Sequence, residues 1–297
     1  MRFWRGPNIA FFSYSRVHRD HGGPVARIAA RPGLCLGKPV FEAFCSLEEG
    51  LVGNKEESGL YGNSHGTGTA GSKAEAVHRA VSEALERWAW HDALSEKRSG
   101  IGIELNSSTT GFAAFPGAFA RSARPAAYFE AAERWCLGAW WEGKLSHAPI
   151  GKLLPWQGVN GIELGAPWAG VSVVVLWAET GGQRAYGFAG AASAERAAQR
   201  AAVELSRNID VLRWHRENRG SLPSTRNEKR LVHFAGNEGR ALFDRRVGTG
   251  AAGNGKTPRL AVDCRVRGPW EKFAFVWRCL FDPGDIHDTG GTDYFHF

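Results

Sequence analysis

The chain has 297 residues, of which 43% are hydrophobic and 23% are charged, which is typical of a globular protein. The length suits one large domain or two closely joined ones, and we expect a single domain over residues 1–297 whose segment over 1–60 is irregular. No apolar run approaches the roughly 20 residues that span a bilayer, so we expect no membrane partner. The net charge of +7 suits a polyanionic ligand. Since Lys and Arg are enriched only over 226–246, and without a nucleic-acid-binding motif, we expect no nucleic acid partner.

The start of the sequence lacks the apolar segment of a signal peptide. The five cysteines are widely spaced and form no CxxC pair, which argues against both a disulfide framework and a zinc site. Both features predict a reduced, cytoplasmic protein.

The order of elements along the chain predicts an α+β fold with internal pseudo-symmetry rather than a doubly wound parallel sheet. Helices are predicted after Ser72, from Pro125 to about Trp135, and after Ser193. Strands are predicted over 9–14, 40–45, 138–141, 145–149, 171–179, 184–187, 231–234, 259–267 and 272–281. Residues 220–224 are predicted to form a turn, and the tail over 282–297 shows no clear element.

Two stretches of the sequence, 66–83 and 187–204, are copies of one another at an offset of 121 residues. Each is predicted to be a small-residue loop, a Ser that caps a helix, and then the helix itself. Apolar residues recur at helical spacing after each Ser, so one face of each helix is expected to be buried. The identical pairs are Gly66/Gly187, Ser72/Ser193, Ala76/Ala197, Arg79/Arg200, Ala80/Ala201 and Glu83/Glu204.

The other face of each helix carries acidic and basic residues. In the first helix these are Glu75, Arg79, Glu83, Glu86 and Arg87, and in the second they are Arg200, Glu204, Arg207 and Asn208. Such faces are often only solvated ion pairs. The duplication favours a site instead: if the two copies face each other, Glu83 and Glu204 point into a shared cleft that could bind an anion and a metal ion.

The string at 250–257 matches the P-loop pattern GxxxxGK[ST] letter for letter. A P-loop follows a buried strand and opens a helix, whereas here a polar segment precedes the string and a strand pattern follows it. The sequence therefore predicts a flexible basic loop, in which Lys256 could touch a phosphate.

Three blocks of the sequence resemble the YcaO family, and the resemblance implies an ATP-site core over about 62–284. The stretch Ser64-His65-Gly66-Thr67-Gly68, continued by residues 72–87, resembles the first ATP-site segment of that family. The second copy, 187–204, resembles its later G-x-G … A-x-x-R-A-x-x-E segment, and residues 275–284 resemble its V-x-R-x-x-x-P-G strand.

The resemblance implies an unusual ATP-binding fold without a Walker motif, with ATP and Mg²⁺ as cofactors. Members activate a peptide backbone amide: a nucleophile adds to the carbonyl, and the oxyanion attacks the γ-phosphate of ATP. Loss of phosphate leaves an azoline, an amidine or a thioamide, and which of these forms here stays open. Many members modify ribosomally synthesised peptides, so the resemblance implies an ATP-dependent, cyclodehydratase-like enzyme.

The matched positions give the predicted site residues. The Mg²⁺ ligands are predicted to be Glu83, Glu86 and Glu204, because Mg²⁺ takes hard oxygen ligands and often binds one or two carboxylates plus phosphates. The predicted ATP-binding residues are of two kinds. Ser64, His65, Gly66 and Gly68 would present backbone N–H groups near the start of a helix, where phosphates bind. The guanidinium groups that suit phosphates are those of Arg79, Arg87, Arg200 and Arg278. No catalytic residue is assigned.

The chain departs from the family pattern at several positions. His65 replaces Asn, Thr67 replaces a frequent Lys, and Arg207 replaces an acid or Gln. The Pro-rich C-terminus of azoline-forming members does not follow the block at 275–284, which leaves room for another amide modification. The alternative is a non-catalytic scaffold that binds peptide or a partner. We expect a peptide substrate and a partner protein that recognises its leader, and a homodimer stays open.

Overall fold

The computed structural model describes residues 14, 16–52, 60, 64–95, 108–151, 154–218, 222–250, 257–288 and 290–297. The predicted strand over 9–14 and most of the P-loop-like string lie outside these residues. Within the described ranges no helix is both long and apolar enough to cross a membrane.

The described residues form mixed helices and antiparallel sheets, as the α+β prediction required. The helices are α1 (Lys73–Ser95), α2 (Ala123–Trp141), α3 (Ala194–Glu217), α4 (Arg226–Ala235) and α5 (Asn237–Gly248). The strands are β1 (Val25–Cys35), β2 (Lys38–Leu47), β3 (Gly66–Ala70), β4 (Thr110–Phe115), β5 (His147–Pro149), β6 (Val159–Leu164), β7 (Ser172–Thr180), β8 (Gln183–Ala191), β9 (Leu260–Val266) and β10 (Phe275–Phe281).

The chain divides into two compact units, each assembled from segments that are distant in sequence. Unit 1 comprises Met1–Lys55, Asn63–Tyr128 and Ala261–Leu280. Unit 2 comprises Glu56–Gly62, Phe129–Leu260 and Phe281–Phe297.

Unit 1 contains two three-stranded sheets, ordered β1-β2-β3 and β4-β10-β9. β1 and β2 form an antiparallel hairpin that turns at Leu36 and Gly37, with φ of 47° and 79°. Positive φ at both turn residues matches the right-handed twist of the flanking strands, and the glycine adopts it without steric cost. Helix α1 buries a stripe of small and apolar residues in the core of this unit, among them Ala76, Ala80 and Leu85.

Unit 2 is built on a four-stranded antiparallel sheet ordered β5-β6-β7-β8. β7 and β8 pair in unbroken register from Ser172 opposite Ala191 to Thr180 opposite Gln183. In the described part of the tail over 282–297 there is no helix or strand, as predicted, but Tyr294 and Phe295 are buried. The Phe295 ring lies 5.0 Å from the rings of both Phe234 and Phe243, so the tail helps to fill the aromatic core of this unit.

Several sequence-based assignments were wrong. The predicted strand over 40–45 is confirmed within β2, but the rest of the β1–β2 hairpin over 25–47 lies in a segment that was predicted to be irregular. Residues 138–141 continue α2, and residues 231–234 lie in α4, although both had been predicted as strands. Aromatic and β-branched residues raise strand propensity, but burial of a helical face outweighs that preference in both segments.

The prediction of a loop at the start of each repeat was also wrong, because both segments are strands. Gly66–Ala70 is β3, and residues 187–191 are the end of β8. A Cβ atom at Gly66 would lie 2.0 Å from the Ala80 carbonyl oxygen, and one at Gly187 would lie 2.3 Å from that of Ala201. Glycine is therefore required at both positions because each helix packs directly on its strand. Each repeat is a strand followed by a helix.

Candidate functional site

The two repeats share the same hydrogen bonds at equivalent positions. In unit 1, the Thr67 backbone N–H donates to the Glu83 carboxylate over 2.8 Å. At the offset of 121 residues, the Phe188 N–H in unit 2 donates to Glu204 over 3.0 Å. Each helix thus holds a carboxylate against the backbone of the strand that precedes it.

The arginines that the two repeats share also make matching contacts. Arg79 Nη1 donates to the Thr69 carbonyl over 2.9 Å, and Arg200 Nη1 donates to the equivalent carbonyl of Gly190 over 2.8 Å. The two serines accept backbone N–H bonds from the third residue beyond them, over 3.2 Å at Ser72 and 3.4 Å at Ser193. These bonds confirm the predicted caps, and the shared contacts show that the sequence repeat is a structural repeat.

Glu83 is closely surrounded by donors in unit 1. Its carboxylate accepts the Thr67 hydroxyl over 2.9 Å as well as the backbone N–H, and Arg87 Nη2 donates to it over 2.6 Å. Its side chain is 26% exposed, so an added cation could approach it. Glu86 lies one helical turn further along α1 and is half-buried.

Glu204 in unit 2 has a different electrostatic environment. Burial, and secondly the nearby Glu133 carboxylate, raise the pKa of Glu204 from its ordinary 4.5 to about 8. Glu133 projects from α2 and accepts the Gly190 N–H over 2.7 Å. Burial likewise raises the pKa of Glu133, to about 7. Two carboxylates and the guanidinium of Arg200 therefore bind the backbone of Phe188 and Gly190 on β8.

The other predicted ATP-binding residues are dispersed within unit 1. The His65 Nδ1 accepts the Leu47 N–H over 2.9 Å, so its proton lies on Nε2 when the ring is neutral. Ser64 precedes β3 and is half-buried, while Gly66 and Gly68 lie inside that strand. Arg278 on β10 is fully buried and its Nε donates to the Thr110 hydroxyl over 3.0 Å.

The donor types suit Mg²⁺, which favours carboxylate oxygens and keeps several waters and phosphates as further ligands. Over the described ranges, no group of three or more His, Cys, Asp or Glu side chains lies close enough together to hold a metal ion by itself. Each repeat thus offers one or two carboxylates, and a bound ion would draw its remaining ligands from elsewhere.

The P-loop-like string has the wrong neighbours on both sides. The helix α5 ends at Gly248, shortly before it, and the strand β9 begins at Leu260, shortly after it. A P-loop needs the reverse order, a strand and then a helix. Both flanking elements therefore support the conclusion that the string at 250–257 is not a Walker motif.

Two solved structures of a microcin synthetase from E. coli are similar to this chain. The McbBCD complex with pro-MccB17 bound matches with a TM-score of 0.54 at 11% identity, over 86% of this chain and 87% of that chain. The McbBCD complex alone matches with a TM-score of 0.53 at 12% identity, over the same shares of the two chains. The chain has a YcaO-like fold.

YcaO from Methanopyrus kandleri, bound with AMPPCP and Mg²⁺, matches with a TM-score of 0.48 at 14% identity, over 86% of this chain and 84% of that chain. No protein-family model and no curated protein matches the chain. At such low identity the similarity to the microcin synthetase chains concerns the YcaO-like fold and not the activity.

Sequence reasoning did not find two residues of the candidate site. Thr67 was treated as a departure from the family pattern, yet both its N–H and its hydroxyl bind Glu83. Glu133 lies on α2, outside the repeats, and no motif marks it. One local signal was also misjudged: Asn208, predicted on the polar face, is buried and its amide donates to the Tyr186 carbonyl over 2.8 Å.

Proposed function

We propose that this chain belongs to the YcaO family and uses ATP and Mg²⁺ to activate backbone amides of a ribosomally synthesised peptide. The observation that carries the proposal is the repetition of one arrangement, in which a helix carboxylate binds the N–H of the preceding strand at Glu83 and again at Glu204. The YcaO-like fold and the motifs of the sequence support it.

Glu83, Glu86 and Glu204 would hold Mg²⁺. Glu83 and Glu204 are each oriented by a backbone N–H, which fixes the carboxylate before any ion binds. Because the raised pKa of Glu204 favours its protonated form near neutral pH, binding of a cation there would release a proton.

The nucleotide would be bound by Ser64, His65, Gly66 and Gly68 around β3 and by the arginines Arg79, Arg87, Arg200 and Arg278. When bound, ATP supplies the phosphoryl group that accepts the amide oxygen. The chain itself would orient the phosphates and offset their charge, and positioning of this kind is the main protein contribution in phosphoryl transfer.

Replacing either repeat glutamate tests the proposal. Glu83→Gln and Glu204→Gln keep the size of the side chain but remove the negative charge, so we expect each to abolish ADP release that depends on the peptide substrate. Glu217→Gln, an exposed position at the end of α3, is the matched control and is expected to keep full activity. Circular dichroism would confirm that all three variants fold. Full activity in both repeat variants would refute the site assignment.

The substrate can be found by mass spectrometry of short peptides encoded beside the gene, after incubation with the chain and MgATP. Ring closure by amide activation removes one water, about 18 mass units per modified residue. A partner protein would supply leader recognition, so saturable, sequence-specific leader binding by this chain alone would contradict that part of the proposal.

Calorimetry separates this proposal from the scaffold alternative. Binding of MgATP in the micromolar to millimolar range is expected of the enzyme. A chain that binds peptide or a partner but takes up no nucleotide at millimolar MgATP would instead be the non-catalytic scaffold.

A further inference from the structure

The two oxygens of the Glu83 carboxylate have different partners in unit 1. Oε2 accepts both donors of Thr67, the backbone N–H over 2.8 Å and the hydroxyl over 2.9 Å. Oε1 accepts Arg87 Nη2 over 2.6 Å. Because a carboxylate oxygen accepts about two hydrogen bonds, the two donors of Thr67 fill the capacity of Oε2. A cation that approaches Glu83 is thereby directed to Oε1.

The equivalent positions in unit 2 lack both side-chain donors. Phe188, which lies 121 residues after Thr67, donates its N–H to Glu204 over 3.0 Å but has no hydroxyl. Asn208, at the position of Arg87, binds a carbonyl of β8 instead. The repeat forms in unit 2 without a hydroxyl at this position, so the packing of strand on helix does not require the Thr67 hydroxyl.

The partners of the two oxygens differ in how easily a cation can displace them. The Arg87 side chain is 48% exposed, and an exposed ion pair between residues four apart on a helix is weak. A divalent ion can therefore replace the guanidinium at Oε1, which makes Arg87 available to a phosphate. Thr67 belongs to β3, so its donors stay with Oε2.

The number of carboxylate oxygens that an ion can use separates Mg²⁺ from Ca²⁺. Mg²⁺ requires nearly octahedral geometry, and the two oxygens of one carboxylate are too close together to fill neighbouring octahedral positions without strain. Ca²⁺ is larger, takes about six to eight oxygens in flexible geometry, and accepts a carboxylate through both of its oxygens. A carboxylate whose second oxygen is occupied therefore suits Mg²⁺ better than Ca²⁺.

We propose that Thr67 is a positioning residue that sets the metal preference of the site. Its hydroxyl and its N–H together hold Oε2, so that Glu83 binds Mg²⁺ through Oε1 alone and disfavours Ca²⁺. The assignment of the ion to Glu83 rests on the proposed function. The role of the Thr67 hydroxyl is a separate claim, because it concerns the choice between two ions and requires no turnover.

The test measures how Mg²⁺ and Ca²⁺ displace Mn²⁺ from the full chain without nucleotide, with free Mn²⁺ followed by electron paramagnetic resonance. Thr67→Val keeps the shape of the side chain and the N–H but removes the hydroxyl. We expect the affinity for Mg²⁺ to fall about 10-fold, since the loss of a hydrogen bond to a metal ligand costs on the order of 10- to 100-fold. The affinity for Ca²⁺, which gains an oxygen of Glu83, is expected to fall less than about 2-fold, so the preference for Mg²⁺ falls about 5-fold or more.

Three further variants serve as controls. Thr67→Ser keeps the hydroxyl and is expected to show the ion preference of the parent within about 2-fold. Thr69→Val makes the same exchange two residues along β3, where the hydroxyl makes no hydrogen bond with the residues that the structure describes, and it too is expected to match the parent. Glu83→Gln is expected to lose the Mn²⁺ site. If Thr67→Val does not fold by circular dichroism, Thr67→Ala, which also lacks the hydroxyl, takes its place.

The outcomes distinguish this inference from the proposed function. An unchanged preference in Thr67→Val, beside a Glu83→Gln variant that loses Mn²⁺, would overturn the role of Thr67 and leave the metal site in place. Equal losses of Mg²⁺ and Ca²⁺ affinity would also overturn it, since the hydroxyl would then only stabilise Glu83. A parent chain that binds no Mn²⁺, or a Glu83→Gln variant that binds it normally, would overturn the inference together with the assignment of the ion to Glu83.

Discussion

The buried guanidinium of Arg230 fixes the C-terminal tail in unit 2. Its side chain is 1% exposed, and it donates to the Asp288 carboxylate, to the Gly291 carbonyl over 2.8 Å and to the His296 carbonyl over 3.0 Å. Arg230→Met keeps an unbranched side chain but removes every one of these donors. We therefore expect the tail to detach more readily and the chain to become less stable.

The size of the effect follows from the burial of the partners. Removing one member of a buried ion pair costs about 3–5 kcal/mol, because the other charge is left without a partner. Asp288 remains 17% exposed and accepts the Gly290 N–H over 2.9 Å, so the lower end, about 3 kcal/mol, is expected. For a chain of this size that lowers the unfolding midpoint by roughly 6–12 °C.

Thermal unfolding followed by circular dichroism measures this loss. Arg245→Met, an exposed position on α5, is the matched control and is expected to change stability by less than about 0.5 kcal/mol. In the double variant Arg230→Met/Asp288→Asn no charge is left unpaired, so its loss should be smaller than the sum of the two single losses. If the unfolding midpoint of Arg230→Met lies within 1–2 °C of the parent while the control is unaffected, the reasoning is refuted. For a chain of this size, a shift of one degree corresponds to about a few tenths of a kcal/mol.

Two further predictions concern the repeats and the acid pair. Gly66→Ala and Gly187→Ala would place a Cβ 2.0 Å and 2.3 Å from backbone oxygens of α1 and α3, so each should lower the free energy of unfolding by about 1–3 kcal/mol. Gly117→Ala is the control, because the space around Gly117 is open, and it should change that free energy little. Equal unfolding midpoints for all three variants would contradict the packing argument. Burial raises the pKa of Glu133 from 4.5 to about 7, so between these pH values the folded state binds more protons than the unfolded state. The contribution of Glu133 to the free energy of unfolding therefore falls as the pH rises from 4.5 to about 7. Urea unfolding at pH 5 and pH 8, compared with Glu133→Gln, measures this, and an unchanged pH dependence in the variant would contradict it.

The repeat was the most informative signal in the sequence, because two independent local rules agree in each copy. The capping serines and the apolar stripes after Ser72 and Ser193 predicted α1 and α3 correctly. The glycines before them were misread, since glycine in a polar stretch usually indicates a turn. Here glycine serves the close approach of helix and strand, which is a tertiary requirement that a single sequence does not display.

The other errors have similar causes. Residues 231–234 were assigned to a strand from their apolar character alone, although Thr225 and Glu228 form a capping box that marks the start of α4. The net charge of +7 was taken to suit a polyanionic ligand, and basic residues are enriched over 226–246. Arg230 and Arg246 in that stretch are buried and bind carbonyl groups of the chain itself. Net charge therefore overstates how much positive charge reaches the surface.

The candidate site was predicted only in part. Glu83 and Glu204 were identified because the repeat aligns them, and their equivalent bonds are observed. Glu133 could not be predicted, because only the pairing of α2 with Gly190 brings it to β8.

The discontinuity of unit 1 affects the order in which the chain can fold during its synthesis. The strand β4 pairs with β10, and the bond between Arg278 and Thr110 joins residues 168 positions apart. The ribosome therefore releases all of unit 2 except its last segment before the residues that complete unit 1 emerge. Until then β4 lacks its hydrogen-bonding neighbour, and such an unpaired strand edge is a site for aggregation. The unit that begins the chain is thus the last whose sheets can close.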